Sequence, residues 1–185
     1  MSDYDFDPYN IPDEYLNAVG LVVATAAQAE HVLQQFIGAL LGIDNIQTLA
    51  LATHMNFPLK DHIIRTLAEL DAPNIKELDK IDNLLDAMSE ALDKRNIIVH
   101  NSLAINPDTK EILSLRTKAR GSLQLQLKPI SVDEIEKDAA AIYKASMDIV
   151  SFMMSRGLSP HHRTKLLREP VNRGKKSRKE REDIK

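Results

Sequence analysis

The sequence predicts a mainly helical domain of about five helices, with a small antiparallel sheet of two or three strands inserted after the fourth helix. Over most of the chain, apolar residues recur every three or four positions, which is the period of an amphipathic α-helix. Between residues 111 and 128 the period changes to two, which is typical of a strand with one face in water. Clusters of turn-forming residues separate these stretches.

Local end signals define the predicted helices. Pro12 suits a first helical turn and Gly42 suits a helix end, so the first long helix lies between them. Asp44 is a predicted N-cap, and Ser131 with Glu134 three residues later forms a predicted capping box. The predicted helices cover, in chain order, residues 12–41, 44–54, 59–70, 75–99 and 131–157.

The sheet insert is predicted over residues 102–129, with its polar side chains on one face. Strands are predicted at residues 103–105, 111–118 and 123–128, because apolar and polar residues alternate in the last two. The polar face is either an ordinary solvated face or a surface that binds phosphate groups of RNA. The polar residues of this face and its turn are Arg116, Lys118, Arg120, Gln124, Gln126 and Lys128.

Composition restricts the classes of function. The chain has 185 residues, 43% of them hydrophobic, which is enough for one domain with a core. It has no cysteine, which excludes disulfides, thiolate zinc sites and a cysteine nucleophile, and suits the cytoplasm. The acidic N-terminus lacks the features of a signal peptide, and no apolar run approaches the ~20 residues of a membrane span. We therefore expect a soluble, cytoplasmic protein without membrane contact.

Charge divides the chain unevenly. Residues 163–185 carry ten Lys or Arg against four Asp or Glu, a net charge of +6, whereas residues 1–162 carry 14 against 23, a net charge of −9. We expect a disordered arm at residues 1–9, a helical domain at 10–157 and a disordered basic tail at 158–185. Lys175, Lys176 and Arg178 in this tail are candidate contacts to RNA phosphates.

The fourth predicted helix carries a charged residue on its apolar face. The apolar positions of this helix, taken in steps of three and four, are Ile81, Leu85, Met88, Leu92, Arg95 and Val99. A buried guanidinium is costly without a partner, so Arg95 requires either an open cleft or a carboxylate from another segment. The alternative is a cation that interacts with the helix dipole near the C-terminus, with His100 as a terminal cap.

Arg95, Asn96 and His100 form the pattern R-N-x-x-x-H at the end of a long amphipathic helix. The same Arg-to-His spacing occurs from Arg156 to His161, but Gly157 ends a helix there and no polar residue follows the arginine. The first pattern and its placement resemble the HEPN superfamily, small helical domains of which many are metal-independent ribonucleases. The resemblance covers roughly residues 10–157.

The resemblance implies a site that cleaves single-stranded RNA by attack of its 2′-hydroxyl, with no metal and no cofactor. Arg95 would stabilise phosphate charge, His100 would transfer the proton, and Asn96 would orient His100 or the phosphate. Toxin–antitoxin, phage-defence and RNA-processing roles are all open, including a protein partner such as an antitoxin. The alternative is a catalytically silent helical module of the same type that binds a protein partner or a nucleotide.

The spacing of the motif favours a homodimer. Arg95 and His100 are five positions apart, so the two side chains point roughly 140° apart on a helix that turns ~100° per residue. In the family, the usual arrangement places the motifs of two subunits across a shared cleft, and the resemblance implies the same here.

Glu30 interrupts the apolar face of the first helix as Arg95 interrupts that of the fourth. If the two helices are antiparallel, Glu30 is a supporting residue that accepts a hydrogen bond from Arg95. Alternatively, Glu30 faces solvent at the edge of the helix. His31, His54 and His62 lie on separate predicted elements without acidic ligands at metal-binding spacing, so we expect them to be surface histidines.

Overall fold

The computed structural model describes residues 4–71, 74–119 and 123–161, with the side chains of residues 71, 117–119, 123 and 124 left out of the description. It is mainly helical with a small three-stranded antiparallel sheet, which confirms the predicted fold class. The five helices are α1 (Asp13–Leu41), α2 (Asn45–Ala52), α3 (Phe57–Asp71), α4 (Ile75–His100) and α5 (Val132–Ser155), and the strands are β1 (Ser102–Ile105), β2 (Ile112–Ala119) and β3 (Leu123–Pro129).

The helix ends follow the local signals in the sequence. Pro12 precedes α1, and Gly42 ends it in the left-handed conformation, with a φ of 63° that glycine adopts without a steric penalty. Asp44 caps α2 in a capping box with Gln47, whose side chain accepts a hydrogen bond from the Asp44 N–H. Ser131 and Glu134 form the predicted capping box of α5, which confirms that prediction.

The long helices surround one apolar core. Helices α1 and α5 are parallel, since Phe36 and Phe152 pack edge to face near their C-terminal ends, with ring centroids 5.9 Å apart. Helix α4 is antiparallel to both, because Glu77 near its start pairs with Arg156 at the end of α5, at 2.6 Å. Helix α2 packs closely on α1 where Gly38 meets the buried side chain of Thr48. The fully enclosed core residues include Val22, Leu33, Ile64, Leu85, Met88, Ile142 and Ile149.

The sheet has the order β1-β2-β3, and its register places the predicted polar residues on one face. Arg116 pairs with Gln126, Lys118 with Gln124, and Ser114 with Lys128. Directly opposed residues of antiparallel strands share a face, so Ser114, Arg116, Gln126 and Lys128 lie on the same side of the sheet. Solvent does not reach all of that face, because Ser114 is buried and Arg116 is half-buried.

The structure gives defined contacts to part of each segment that the sequence predicts to be disordered, at residues 4–9 and 158–161. Residues 4–9 are not an arm: Asp5 exchanges backbone hydrogen bonds with Ile105 of β1, at 3.1 and 2.8 Å, and residues Pro8–Asn10 form a short 3-10 helix. At the other end, the His161 N–H donates to the carbonyl of Ile43, and the His161 carbonyl accepts from Asn45. The basic residues Lys175, Lys176 and Arg178 lie outside the described residues.

By length and composition alone, α1 could cross a membrane, with a mean hydropathy of 1.2 over its most apolar window. In the fold, α1 is a core helix: it packs against α5, α3, α2 and α4, and 39% of that window is buried. This arrangement is compatible with a soluble protein.

Candidate functional site

A cavity of about 640 Å³ opens between α1, α3 and α4, at the level of the R-N-x-x-x-H motif. Helix α4 contributes Arg95 and Asn96, and α1 contributes Glu30 from the opposite wall. Arg95 is half-buried, as its place on the apolar face of α4 predicts. Of the two explanations the sequence allowed for this arginine, an open cleft and a carboxylate partner, the structure shows the cleft.

The guanidinium of Arg95 is only partly satisfied. Its Nη1 donates to the Asn96 Oδ1 at 2.9 Å. Its Nε is buried and has no hydrogen-bond partner, and within the described residues no carboxylate lies within 4.0 Å of the guanidinium. A buried N–H without an acceptor is unfavourable, so Arg95 retains capacity to bind an anion from outside the chain.

Glu30 does not pair with Arg95, and that prediction is wrong. Its carboxylate forms an ion pair with the ammonium group of Lys60, which is fully buried. Helix α3 begins beside the middle of α1, so a cation on α3 reaches Glu30 directly, while Arg95 turns toward Asn96. Glu30 still lines the cavity, where its charge is balanced by Lys60.

Arg65 joins α3 to α4 at the far wall of the cavity. It contacts Asp61 at 3.1 Å on its own helix, and Asp82 and Asp86 on α4 at 2.6 and 2.7 Å. The hydrogen bond to Asp61, with smaller contributions from Asp86 and Asp82, raises the pKa of Arg65 above its ordinary value. This network fixes the spacing between α3, which carries Lys60, and α4, which carries Arg95.

The cavity lining is acidic. Its charged residues are Glu30, Asp61, Asp86 and Asp93, against Arg65 and Arg95, which gives a formal net charge of −2. Lys60 and Arg65 are already engaged with Glu30 and with Asp61 and Asp86. Asp93 and Arg95 are therefore the two lining charges that form no ion pair within the described part of the chain.

His100 does not line this cavity. It is the last residue of α4, and its side chain is exposed. Asn96 lies one turn earlier on the same face of the helix, so His100 lies just outside the cavity on the Asn96 side. One chain thus brings Arg95 and Asn96 together and leaves His100 facing solvent.

A second cavity of about 420 Å³ lies between the end of α4, the sheet and the start of α5. Arg116 lines it, and the Nε of Arg116 is buried without a hydrogen-bond partner among the described residues. Lys128 on the same face of the sheet is exposed. Of the other predicted RNA contacts, the side chain of Lys118 and the whole of Arg120 lie outside the description.

The sequence analysis did not single out Lys60 or Arg65. Lys60 had a signal: four residues before Ile64, it occupies an apolar position of α3, just as Arg95 does on α4. No sequence signal identified the partners of Arg65, because these contacts depend on how α3 packs against α4.

Within the described residues, no three His, Asp or Glu side chains are grouped so that they could hold a metal ion. No family model matches this chain, no curated protein matches it at a significant level, and no solved structure matches its fold significantly. The arguments for function below therefore depend on the site alone.

Proposed function

We propose that this chain is a HEPN-type endoribonuclease that cleaves single-stranded RNA without a metal ion and acts as a cytoplasmic homodimer. The observation that carries this proposal is the state of Arg95. Four carboxylates line its cavity, yet its guanidinium is paired with none of them, and its Nε has no acceptor in the part of the chain that the structure describes. An arginine held in this way can bind a phosphate in a forked geometry.

The roles of the motif residues follow from their positions. Arg95 stabilises the negative charge that develops on the phosphorus-bound oxygens, and Asn96 holds the guanidinium through its Oδ1. His100 accepts the proton of the attacking 2′-hydroxyl, a transfer for which histidine is the most common side chain in enzymes. The new bond joins the 2′-oxygen to phosphorus, and the bond from phosphorus to the 5′-oxygen breaks. The products are a 2′,3′-cyclic phosphate and a 5′-hydroxyl.

A dimer completes the site. His100 is exposed and lies outside the Arg95 cavity of its own chain, so the histidine that serves Arg95 comes from a second subunit. A two-fold axis near the end of α4 brings each His100 to the cavity of the other subunit. That histidine accepts the proton of the 2′-hydroxyl and then donates it to the leaving 5′-oxygen.

A second candidate function is favoured by the acidic lining. Asp93 forms no ion pair with any described residue, and the cavity has a formal net charge of −2, which attracts a basic segment of a partner protein more readily than RNA. In this case the chain is a catalytically silent helical module, and Arg95 and Asn96 orient a backbone carbonyl or carboxylate of that partner. An antitoxin is one such partner.

Cleavage in EDTA separates the two functions. A fluorescent single-stranded RNA is incubated with the wild type, His100→Ala and Arg95→Ala, and with His62→Ala as a matched control that removes an exposed histidine of α3. We expect the wild type and His62→Ala to produce cyclic phosphate ends, and each motif variant to be slower by about 10²-fold or more. DNA of the same sequence should remain intact because it lacks the 2′-hydroxyl. Activity that persists in both motif variants, or no activity in the wild type, would overturn the nuclease proposal.

A further inference from the structure

The second cavity combines apolar walls with cations, which differs from the acidic first cavity. Its apolar residues are Ile97, Ile98, Pro129 and Ile130. Its charged residues are Lys94, Arg116 and Lys137, against Glu134 and Asp138. Its volume of about 420 Å³ lies in the range of small-ligand sites, which are largely apolar with a few polar groups that fix orientation.

The cations of this cavity form few ion pairs within the described residues. Arg116 and Lys137 form no ion pair within the described residues, and Lys94 approaches only Glu90, at 3.8 Å. The buried Nε of Arg116 has no acceptor among the described residues, so an anion bound in the cavity would supply the hydrogen bond that this N–H lacks.

The two carboxyl groups offset the three cations of this cavity only in part, which leaves a formal net charge of +1. Glu134 is turned to the start of α5, where its Oε2 accepts from the N–H of Ser131 at 2.9 Å. Burial raises the pKa of Asp138, while Lys94 and Arg116 lower it, so Asp138 interacts with two of the cations but forms no ion pair within the described residues.

The position of His100 connects the two cavities. On a helix that turns ~100° per residue, Asn96 lies roughly 40° to one side of His100 and Ile97 roughly 60° to the other. Asn96 lines the first cavity and Ile97 lines the second. His100 therefore lies between the two cavities of its own chain. In the proposed dimer, a strand that leaves the second cavity passes this His100 before it reaches the Arg95 cavity of the other subunit.

We propose that the second cavity is a nucleotide subsite of the RNA path, in which one base packs against the isoleucines and its phosphate binds Arg116 and Lys137. This inference rests on the proposed function, since it takes the RNA that Arg95 and His100 cleave as the ligand. Flat base faces pack favourably on apolar side chains, and arginine and lysine supply the phosphate contact. The subsite holds the nucleotide next to the cleaved bond, so binding here places the scissile phosphate at His100.

Binding of an RNA that cannot be cleaved tests the subsite separately from catalysis. A labelled single-stranded oligonucleotide with 2′-O-methyl groups is titrated into the full chain and followed by fluorescence anisotropy. Arg116→Gln and Lys137→Gln should each weaken binding roughly tenfold. Lys144→Gln is the matched control, because it removes an exposed lysine of the same helix that pairs with Asp148 at 2.5 Å. It should change binding by less than about twofold.

A second measurement identifies the base contact. Methyl NMR spectra of the isoleucines are recorded with uridine monophosphate and with inorganic phosphate as probes. We expect Ile97, Ile98 and Ile130 to shift with the nucleotide, and the isoleucines of the core to stay unchanged. Equal losses in Lys137→Gln and Lys144→Gln, or no isoleucine shift, would overturn the subsite even if the wild type cleaves RNA. Conversely, binding that depends on Arg116 and Lys137 in a chain without cleavage supports the subsite and counts against the nuclease.

Discussion

Glu30 on α1 and Lys60 on α3 form an ion pair in which the lysine is fully buried and the glutamate side chain is 42% exposed. The pair connects two helices of the bundle at the wall of the Arg95 cavity. An ammonium group without solvent contact depends on its partner, because isolated burial of a charge costs several kcal/mol. Glu30 is thus a structural counter-ion of Lys60.

Glu30→Ala should lower the free energy of unfolding by about 3 kcal/mol, near the low end for breaking a buried pair because Glu30 is itself partly in water. Urea unfolding measures this change. Glu30→Ala with Lys60→Met should recover much of the loss, since the second substitution removes the unpaired ammonium. Glu90→Ala, at an exposed carboxylate that lies 3.8 Å from Lys94, should change stability by less than about 0.5 kcal/mol. Additive losses in the double variant would show that the pair is not coupled.

Gly38→Ala should destabilise the protein at the contact of α1 with α2. A Cβ at Gly38 would lie 2.0 Å from the Oγ1 of Thr48, a buried residue that cannot move away. The expected loss is about 1 to 3 kcal/mol or more. Gly20 provides a control on the same helix, because a Cβ there meets nothing within 4 Å. Gly20→Ala should increase stability by about 0.5 to 1 kcal/mol, and thermal unfolding that moves both variants in the same direction would contradict the close contact.

Mixing two inactive variants tests whether the site is shared between subunits. If Arg95 acts with the His100 of the other subunit, a dimer of one Arg95→Ala chain and one His100→Ala chain contains one intact site. After unfolding and refolding together, the mixture should recover roughly a quarter of the wild-type activity, because half of the dimers are mixed and each has one site of two. Each variant refolded alone is the control. No recovery in a mixture shown to contain mixed dimers would place the whole site within one chain.

Asp138 should make stability depend on pH. Its pKa is raised by burial, so as the pH rises the unfolded chain loses this proton before the folded chain does. The free energy of unfolding therefore falls above the ordinary value of 3.8 and stays lower once Asp138 is ionised. Asp138→Asn should be more stable relative to the wild type at neutral pH than below 3.8, as measured by urea midpoints. Glu136→Gln, at an exposed site of the same helix, serves as the control, and a parallel pH profile in Asp138→Asn would contradict the assignment.

The helices were predictable because their end signals are local. Gly42, Asp44 and Ser131 act on backbone groups within four residues of themselves, so their effect can be predicted from neighbouring residues alone. The alternation of apolar and polar residues that predicted the sheet is also a local signal, because it involves consecutive residues. The ordered structure at residues 4–9 and 158–161 was not predictable, because Asp5 and His161 are held by backbone hydrogen bonds to segments far away in sequence.

The burial of a candidate site residue could be predicted from the sequence, whereas the partners of these residues could not. The apolar face of α4 predicted that Arg95 would be half-buried, and the structure agrees. The partner of Glu30 could not be derived, because both Lys60 and Arg95 occupy apolar helix faces and only the packing of three helices decides which cation reaches the carboxylate. The contact of Asn96 with Arg95 was also missed, since the geometry of neighbouring helix positions does not favour it.

The parallel packing of α1 and α5 affects how the chain folds during synthesis. The apolar face of the first helix is completed by the last one, as the contact of Phe36 with Phe152 shows. A ribosome-bound chain that ends before α5 therefore lacks a contact of Phe36, a residue that is fully enclosed in the finished domain. Contacts so distant in sequence slow folding. The domain should consequently fold only after residue 155 has left the ribosome, and nascent chains should depend on chaperones until then.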